Sequence, residues 1–114
     1  MSNNYIVRHI DECDSVPCPC GSSTRIITRD DTDVGNLHVT HIQDAEKHYH
    51  KKCTEYYYIL EGEGKMELNG EMVHLTPGTV VFIPAGVAHR GWGDFKALIV
   101  GVPAMEHDDE FFCD

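Results

Sequence analysis

The chain has 114 residues, of which 41% are apolar and 25% charged, and this size leaves no room for a second hydrophobic core. Its 19 acidic and 9 basic side chains give a formal net charge of −10, and such a surface repels nucleic-acid phosphates and anionic lipid headgroups. The longest apolar runs, residues 80–83 and 97–100, are much shorter than the ~18–20 residues of a membrane-spanning helix. We therefore expect no nucleic acid and no membrane among its partners.

The amino-terminal residues and the cysteines bear on the cellular compartment. The first residues contain no basic segment followed by an apolar stretch, which a secretory signal would have. The five cysteines are odd in number and cannot all pair as disulfides. Both observations favour a reducing, cytoplasmic location. The spacing of Cys13, Cys18 and Cys20 differs from that of a zinc finger, so we expect inert or redox-sensitive thiols there and not a second metal site.

The predicted elements are short strands separated by turn residues. In chain order they cover residues 25–28, 37–42, 56–60, 65–68, 71–75, 79–83 and 97–102. We expect the third strand to end at Gly62 and Gly64. The fourth and fifth flank Asn69-Gly70, a dipeptide that favours a type I′ hairpin because both of its residues adopt positive φ there.

Strands at about eight-residue spacing, with glycine and proline between them, are typical of an antiparallel sandwich or barrel. No segment keeps a 3.6-residue apolar period for more than two turns. We therefore predict an all-β fold. The segment from residue 106 to residue 114 lacks lysine and arginine, which predicts a solvated tail that is either frayed or at the edge of a strand; its acidic residues are Glu106, Asp108, Asp109, Glu110 and Asp114.

Two histidines form a His-x-His pair at His48 and His50. On a strand their side chains project from one face with Cα atoms ~6.5–7 Å apart, close enough to bind one ion. Neutral imidazole is the commonest ligand of transition metals. Glu55 follows at an odd offset, so a chain reversal between His50 and Glu55 is needed to bring its carboxylate beside the imidazoles. His89 could supply a third nitrogen.

These residues match two motifs of a known family, the cupins. The first motif reads His-x-His, three or four residues, Glu, six residues, Gly; here it is His48, His50, Glu55 and Gly62. The second reads Gly, five residues, Pro-x-Gly, two residues, His, three residues, Asn; here it is Gly78, Pro84, Gly86 and His89. Two positions depart from the pattern, since Ile42 replaces a glycine and Gly93 replaces the final asparagine. Neither position is a metal ligand in the family.

The resemblance implies an antiparallel jelly-roll barrel, also called a double-stranded β-helix, formed by residues 37–103. Residues 1–36 would pack on or extend the barrel, and residues 104–114 would form the acidic tail. The resemblance also implies one divalent transition metal bound by His48, His50, Glu55 and His89. Fe, Mn, Ni, Zn and Cu all accept such ligands, so the ion's identity stays open. A homodimer is expected because barrels of this family often pair.

Other side chains are candidates for a pocket wall. Strand alternation directs Tyr57 inward, where we expect a buried tyrosine whose hydroxyl is hydrogen-bonded locally and not to a ligand. We interpret Arg25 as a surface cation and Trp92 as a packing residue at the rim. Cys53 is expected near the rim of the metal site, where oxidation would disturb it. Among the remaining histidines, His41 is the one we expect closest to the site.

Two functions are compatible with these residues. The first is a mononuclear metalloenzyme acting on a small organic molecule, as a dioxygenase, isomerase or lyase, in which the metal is a Lewis acid or a template for O2 and substrate. The alternative is a non-catalytic barrel that binds a sugar or another small metabolite around a structural metal. The fold does not distinguish them, and the sequence identifies no catalytic residue beyond the ligands.

Overall fold

Nine strands and one short 3-10 helix (Ile10–Glu12) make up the computed structural model, which describes residues 5–18 and 20–113. The strands are β1 (Ser15–Cys18), β2 (Gly21–Ile27), β3 (Asn36–Asp44), β4 (His48–Tyr49), β5 (Thr54–Leu68), β6 (Glu71–Leu75), β7 (Val80–Ile83), β8 (His89–Val102) and β9 (Phe111–Phe112). None of the described residues forms an α-helix, and no helix among them could cross a bilayer. Residues 1–4, considered above for an export signal, lie outside the described residues.

All strand pairs are antiparallel and form one curled sheet, which confirms the predicted all-β jelly-roll architecture. The order β1-β2-β3-β8-β4-β9 forms one path, and β5 joins it by pairing with β8, β6 and β7. Strand β8 is central because β3 lies along one of its edges and β5 along the other. It begins at His89, eight residues before the predicted start at Ala97. Gly91 and Gly93 interrupt the alternation of side chains from which a strand is predicted, but their backbone pairs with β5.

The turn chemistry in the middle of the chain determines the hairpins. Asn69 has φ 47° and Gly70 φ 90°, which confirms the primed turn between β5 and β6. The predicted end of β5 at Gly62 is wrong, since the strand continues to Leu68. Gly62 has φ 88°, and the register of β5 against β8 shifts just before it, between Ile59 and Glu61. The glycine therefore introduces a bulge that bends the strand instead of ending it.

The core lies inside the curled sheet and consists of inward-facing residues from successive strands. In β5 Tyr57 and Ile59 are buried, whereas Tyr56 and Tyr58 are exposed, as the alternation predicts. The largest fully buried apolar side chains are Ile59, Met66, Leu75, Ile83 and Phe95. They close one part of the barrel and leave the other part for polar residues.

The acidic tail predicted from Glu106 is not frayed, since its last described residues pair at the edge of the sheet. Asp114 lies outside the described residues. Ala104 and Asp109 are only 1% and 3% exposed, and β9 pairs with β4. The acidic composition of this segment gave no indication of the role of Asp109, whose carboxylate accepts hydrogen bonds from the backbone N–H groups of Lys51 and Cys53.

The cysteines also differ from the sequence-based expectation. Cys18 and Cys20 form a disulfide, whereas Cys13, Cys53 and Cys113 are free. The expectation of free thiols at Cys18 and Cys20 is therefore wrong. Both sulfurs lie at the β1–β2 turn, which brings them close enough to bond.

Candidate metal centre

The structure brings His48, His50, Glu55 and His89 together inside the barrel. One ligand atom of each lies within 4.8 Å of those of the other three. His50, Glu55 and His89 are buried, and His48 is half-buried. The four residues are separated by up to 41 positions in the chain, so their convergence is a property of the fold.

Local strand structure explains how each side chain reaches this point. His48 in β4 is directly paired with His89, the first residue of β8. The chain bends at Lys51 and Lys52, which is the reversal that brings Glu55 back to the imidazoles. Glu55 pairs with Gly101 of β8, twelve positions from His89 along the same strand. Only the curling of the sheet brings the side chains of Glu55 and His89 together.

Each imidazole is oriented by a hydrogen bond from Nδ1 to a backbone carbonyl oxygen. His48 donates to Glu46 O at 2.8 Å, His89 to Val87 O at 3.0 Å and His50 to Asp109 O. Because a carbonyl can only accept, the proton of each neutral ring lies on Nδ1 and leaves an acceptor lone pair on Nε2. A hydrogen bond from the other ring nitrogen to a carbonyl oxygen is typical of metal-binding histidines.

Three buried polar atoms at the centre have no hydrogen-bond partner among the described residues: His50 Nε2, His89 Nε2 and Glu55 Oε1. The carboxylate oxygen lies 3.2 Å from His50 Nε2 and 3.3 Å from His89 Nε2. With the proton of each neutral ring on Nδ1, all three atoms are acceptors and none can donate to another. Unpaired buried polar atoms are costly. A divalent cation between them would satisfy all three, so these residues fit a metal ion.

The charges at the centre also favour a cation. Burial alone would raise the pKa of Glu55, but the imidazoles of His50 and His89 hold this pKa below its ordinary value. Burial lowers the pKa of His50, and the Glu55 carboxylate overcomes this and raises it to about 9. The pKa of His48 is lowered, first by burial and then by His89. The centre therefore holds a carboxylate that requires a positive partner, either a proton or a metal ion.

Residues 37–99 of the chain match the cupin domain family. The chain belongs to this family. It is 38% identical over 106 residues to L-ectoine synthase of Aliivibrio fischeri, covering 85% of this chain and 83% of that protein. An uncharacterized protein of Methanocaldococcus jannaschii is 35% identical over 66 residues, and the chain spans about half (53%) of its length. A crystal structure of a Planctomyces limnophilus protein superposes with TM-score 0.89 and 31% identity, covering 95% of this chain and 96% of that one.

Asp109 supports the loop that connects His50 to Glu55 in this cupin. Its carboxylate accepts hydrogen bonds from the backbone N–H groups of Lys51 (2.8 Å), Lys52 (3.2 Å) and Cys53 (3.0 Å). Burial alone would raise the pKa of Asp109, but these three N–H groups lower it below its ordinary value. The backbone carbonyl of the same residue orients His50. Sequence reasoning missed Asp109 because no local pattern links it to residues 51–53.

A cavity of about 140 Å³ lies next to the metal centre. His48 and His89 form part of its wall, together with apolar side chains including Ile42, Tyr57 and Met66. Burial raises the pKa of Tyr57 well above its ordinary value, so the phenol stays protonated. Its hydroxyl has no hydrogen-bond partner within the described part of the chain, so the expectation of a locally satisfied hydroxyl is wrong.

Several expectations about other side chains also change. Arg25 is exposed, as expected of a surface cation, and it also lines the cavity, whereas Trp92 lies outside the cavity and stacks with Arg90. His41 pairs with the carboxylate of Asp94 away from the cavity, and His38 lines the wall instead. The alternating apolar and polar residues of β3 carry no sign of which histidine faces inward.

Cys53 is buried beside the loop and not at the rim of the site. Burial raises the pKa of its thiol to about 12, and Glu55 adds to this effect. A protonated, inaccessible thiol reacts poorly with peroxide, so the proposed oxidation at this position is not supported.

Proposed function

We propose that this cupin is a mononuclear metalloenzyme that acts on a small organic molecule. His48, His50, Glu55 and His89 would bind one divalent transition metal. The observation that carries the proposal is the convergence of three buried, unpartnered polar atoms beside a cavity. Three nitrogens and one oxygen suit Fe, Mn, Ni, Zn or Cu alike.

The metal, when bound, would supply a Lewis acid at positions left open by the four protein ligands. The protein supplies the rest of the site. Backbone carbonyls hold each imidazole in the tautomer that a metal needs. The apolar wall around Tyr57 lowers the local dielectric and thereby strengthens every electrostatic interaction with a bound molecule.

The proposal keeps the three reaction classes dioxygenase, isomerase and lyase, because the four ligands suit each of them. The 38% identity to L-ectoine synthase across most of both chains supports catalysis over binding alone, because that relative is named as an enzyme. The substrate of this chain need not be that of its relative.

Elemental analysis of untagged protein, purified without chelator, tests the proposal. We expect about one equivalent of a divalent transition metal. His48→Ala and His89→Ala should lose the metal while circular dichroism shows the barrel still folded. His41→Ala, a half-buried control that does not line the cavity, should keep the metal. A wild-type protein without metal, even after supply of each candidate ion, would refute the proposed site. Metal-dependent turnover in a panel of small molecules supports an enzyme, whereas saturable binding without turnover favours a binding barrel.

We also propose that two copies of the chain associate through the outer face of β5, β7 and β8. Six apolar side chains are 43–60% exposed on this face: Tyr56, Tyr58, Leu60, Val80, Phe82 and Val102. Tyr56 is opposite Phe82 and Tyr58 is opposite Val80 in the β5–β7 register, so the side chains form one patch. A contiguous patch of this kind is typical of a protein–protein interface.

A further inference from the structure

One arginine differs from the others in lacking a partner. The chain has four arginines, and three donate to carboxylates or carbonyls: Arg8 to Asp31, Arg29 to Ala104 O and Arg90 to Asp44. For Arg25 neither a hydrogen bond nor an ion pair is formed with any residue in 5–18 or 20–113. In a chain with ten more acidic than basic groups, an unpaired guanidinium beside a cavity is a candidate for binding an anion.

His38 lies directly opposite Arg25 in the β2–β3 register. Paired residues of neighbouring strands project from the same face with Cβ atoms ~5 Å apart, and here both line the cavity next to the metal centre. Both also line a second, outer cavity of about 230 Å³. The two side chains therefore stand where the outer cavity and the metal-side cavity meet.

The hydrogen bonds of Asn36 determine which ring nitrogen of His38 carries a proton. The backbone N–H of Met105 donates to Asn36 Oδ1 at 2.8 Å, so the Asn36 amide nitrogen is the atom that faces His38 Nε2, at 3.2 Å. That nitrogen is a donor, and Nε2 must accept. In the neutral ring the proton then lies on Nδ1, which has no partner among the described residues.

The ring is held neutral by its surroundings. Burial lowers the pKa of His38, and the nearby Arg25 guanidinium lowers it further. His38 thus presents one N–H donor beside a fixed positive charge.

We propose that Arg25 and His38 form a carboxylate-binding subsite, so that the substrates are small carboxylic acids whose other end reaches the metal centre. This inference rests on the proposed function for the position of the reacting end. The guanidinium fork matches the two oxygens of a carboxylate, and His38 Nδ1 adds a third donor. Glu46 and Glu110 line the same cavity, and their charges repel a phosphate dianion more strongly than a monoanion.

Propanoate, its neutral isostere propanamide and inorganic phosphate are suitable probes. Binding is measured by NMR titration at low ionic strength, with zinc-loaded and zinc-free protein. We expect wild-type protein to prefer propanoate over propanamide and over phosphate. Arg25→Gln should weaken propanoate binding about ten-fold or more, the range for hydrogen bonds to charged groups, and leave propanamide binding unchanged. Arg25→Lys should bind propanoate with an affinity between those of the wild type and Arg25→Gln, because lysine keeps the positive charge but cannot donate two parallel hydrogen bonds.

Lys65→Gln is the matched control, since it removes one positive charge at a residue that lines neither cavity. An equal loss of propanoate affinity in Lys65→Gln and Arg25→Gln would overturn the subsite, and so would tighter binding of phosphate than of propanoate. The measurement on zinc-free protein tests the carboxylate subsite independently of the proposed metal site. A protein that never takes up metal but shows the Arg25-dependent preference supports the subsite alone. A protein that takes up metal and binds propanoate independently of Arg25 overturns the subsite and leaves the metal site intact.

Discussion

Asp109→Asn is the perturbation that most directly tests how the tail supports the metal centre. The carboxylate of Asp109 accepts three backbone N–H bonds from residues 51–53, and this loop connects His50 to Glu55. The substitution keeps the size of the side chain. It removes the negative charge and replaces one acceptor oxygen by an NH2 group, which cannot accept from a backbone N–H.

The magnitude follows from the hydrogen bonds that are lost or weakened. Hydrogen bonds to charged groups contribute about 1.5–3 kcal/mol each. Since one oxygen remains, we expect the free energy of unfolding to fall by about 2–3 kcal/mol. For a domain of this size that lowers Tm by roughly 8–12 °C. The metal affinity should fall about 10- to 100-fold, because the Asp109 carbonyl also orients His50.

Thermal unfolding of the metal-free protein, followed by circular dichroism, measures the stability. Competition with a chromogenic chelator measures the metal affinity. Asp108→Asn is the matched control, since it removes the same charge from an exposed neighbour that makes no hydrogen bond with the described residues. If Asp109→Asn and Asp108→Asn unfold at the same temperature and bind metal equally well, the account of the tail as a support of the loop is wrong.

Three further predictions concern the interface, the bulge and the amino-terminal segment. Phe82→Glu should convert a dimer to a monomer in sedimentation velocity, and an unchanged sedimentation coefficient would rule out this face. Gly62→Ala should lower the free energy of unfolding in urea by about 3 kcal/mol or more, because the added Cβ would lie 2.2 Å from a backbone oxygen. Gly78→Ala, where the added Cβ meets open space, should lower it by about 1 kcal/mol. Equal losses in the two variants would contradict the clash. The hydrogen bond from Arg8 lowers the pKa of Asp31 to about 2, so this pair stabilises the fold above pH ~4 and the stabilisation is lost as the pH falls towards 2. Asp31→Asn should therefore reduce the dependence of Tm on pH between about pH 4 and 2. Parallel Tm profiles of wild type and variant would disprove the contribution of this pair.

Much of the fold could be predicted from local patterns. The alternation of Tyr56 to Ile59 identified which side chains enter the barrel, because strand geometry alone determines it. Asn69-Gly70 identified the hairpin because few other dipeptides tolerate two positive φ angles. The rule that glycine ends a strand wrongly predicted the end of β5 at Gly62, where the strand only bends. A glycine permits either outcome, and the pairing of the following residues with β8 determines which occurs.

The sequence by itself identified the four candidate metal ligands, because the spacing of His48, His50, Glu55 and His89 matches the motifs of the family. Only the tertiary structure decided which other residues surround those donors. Asp109 lies 56 positions from Cys53, whose N–H it binds, and the partner of Arg25 across the sheet is His38 and not His41. The reason is physical: backbone preferences act over a few residues, whereas the curl and register of the sheet bring distant strands into contact.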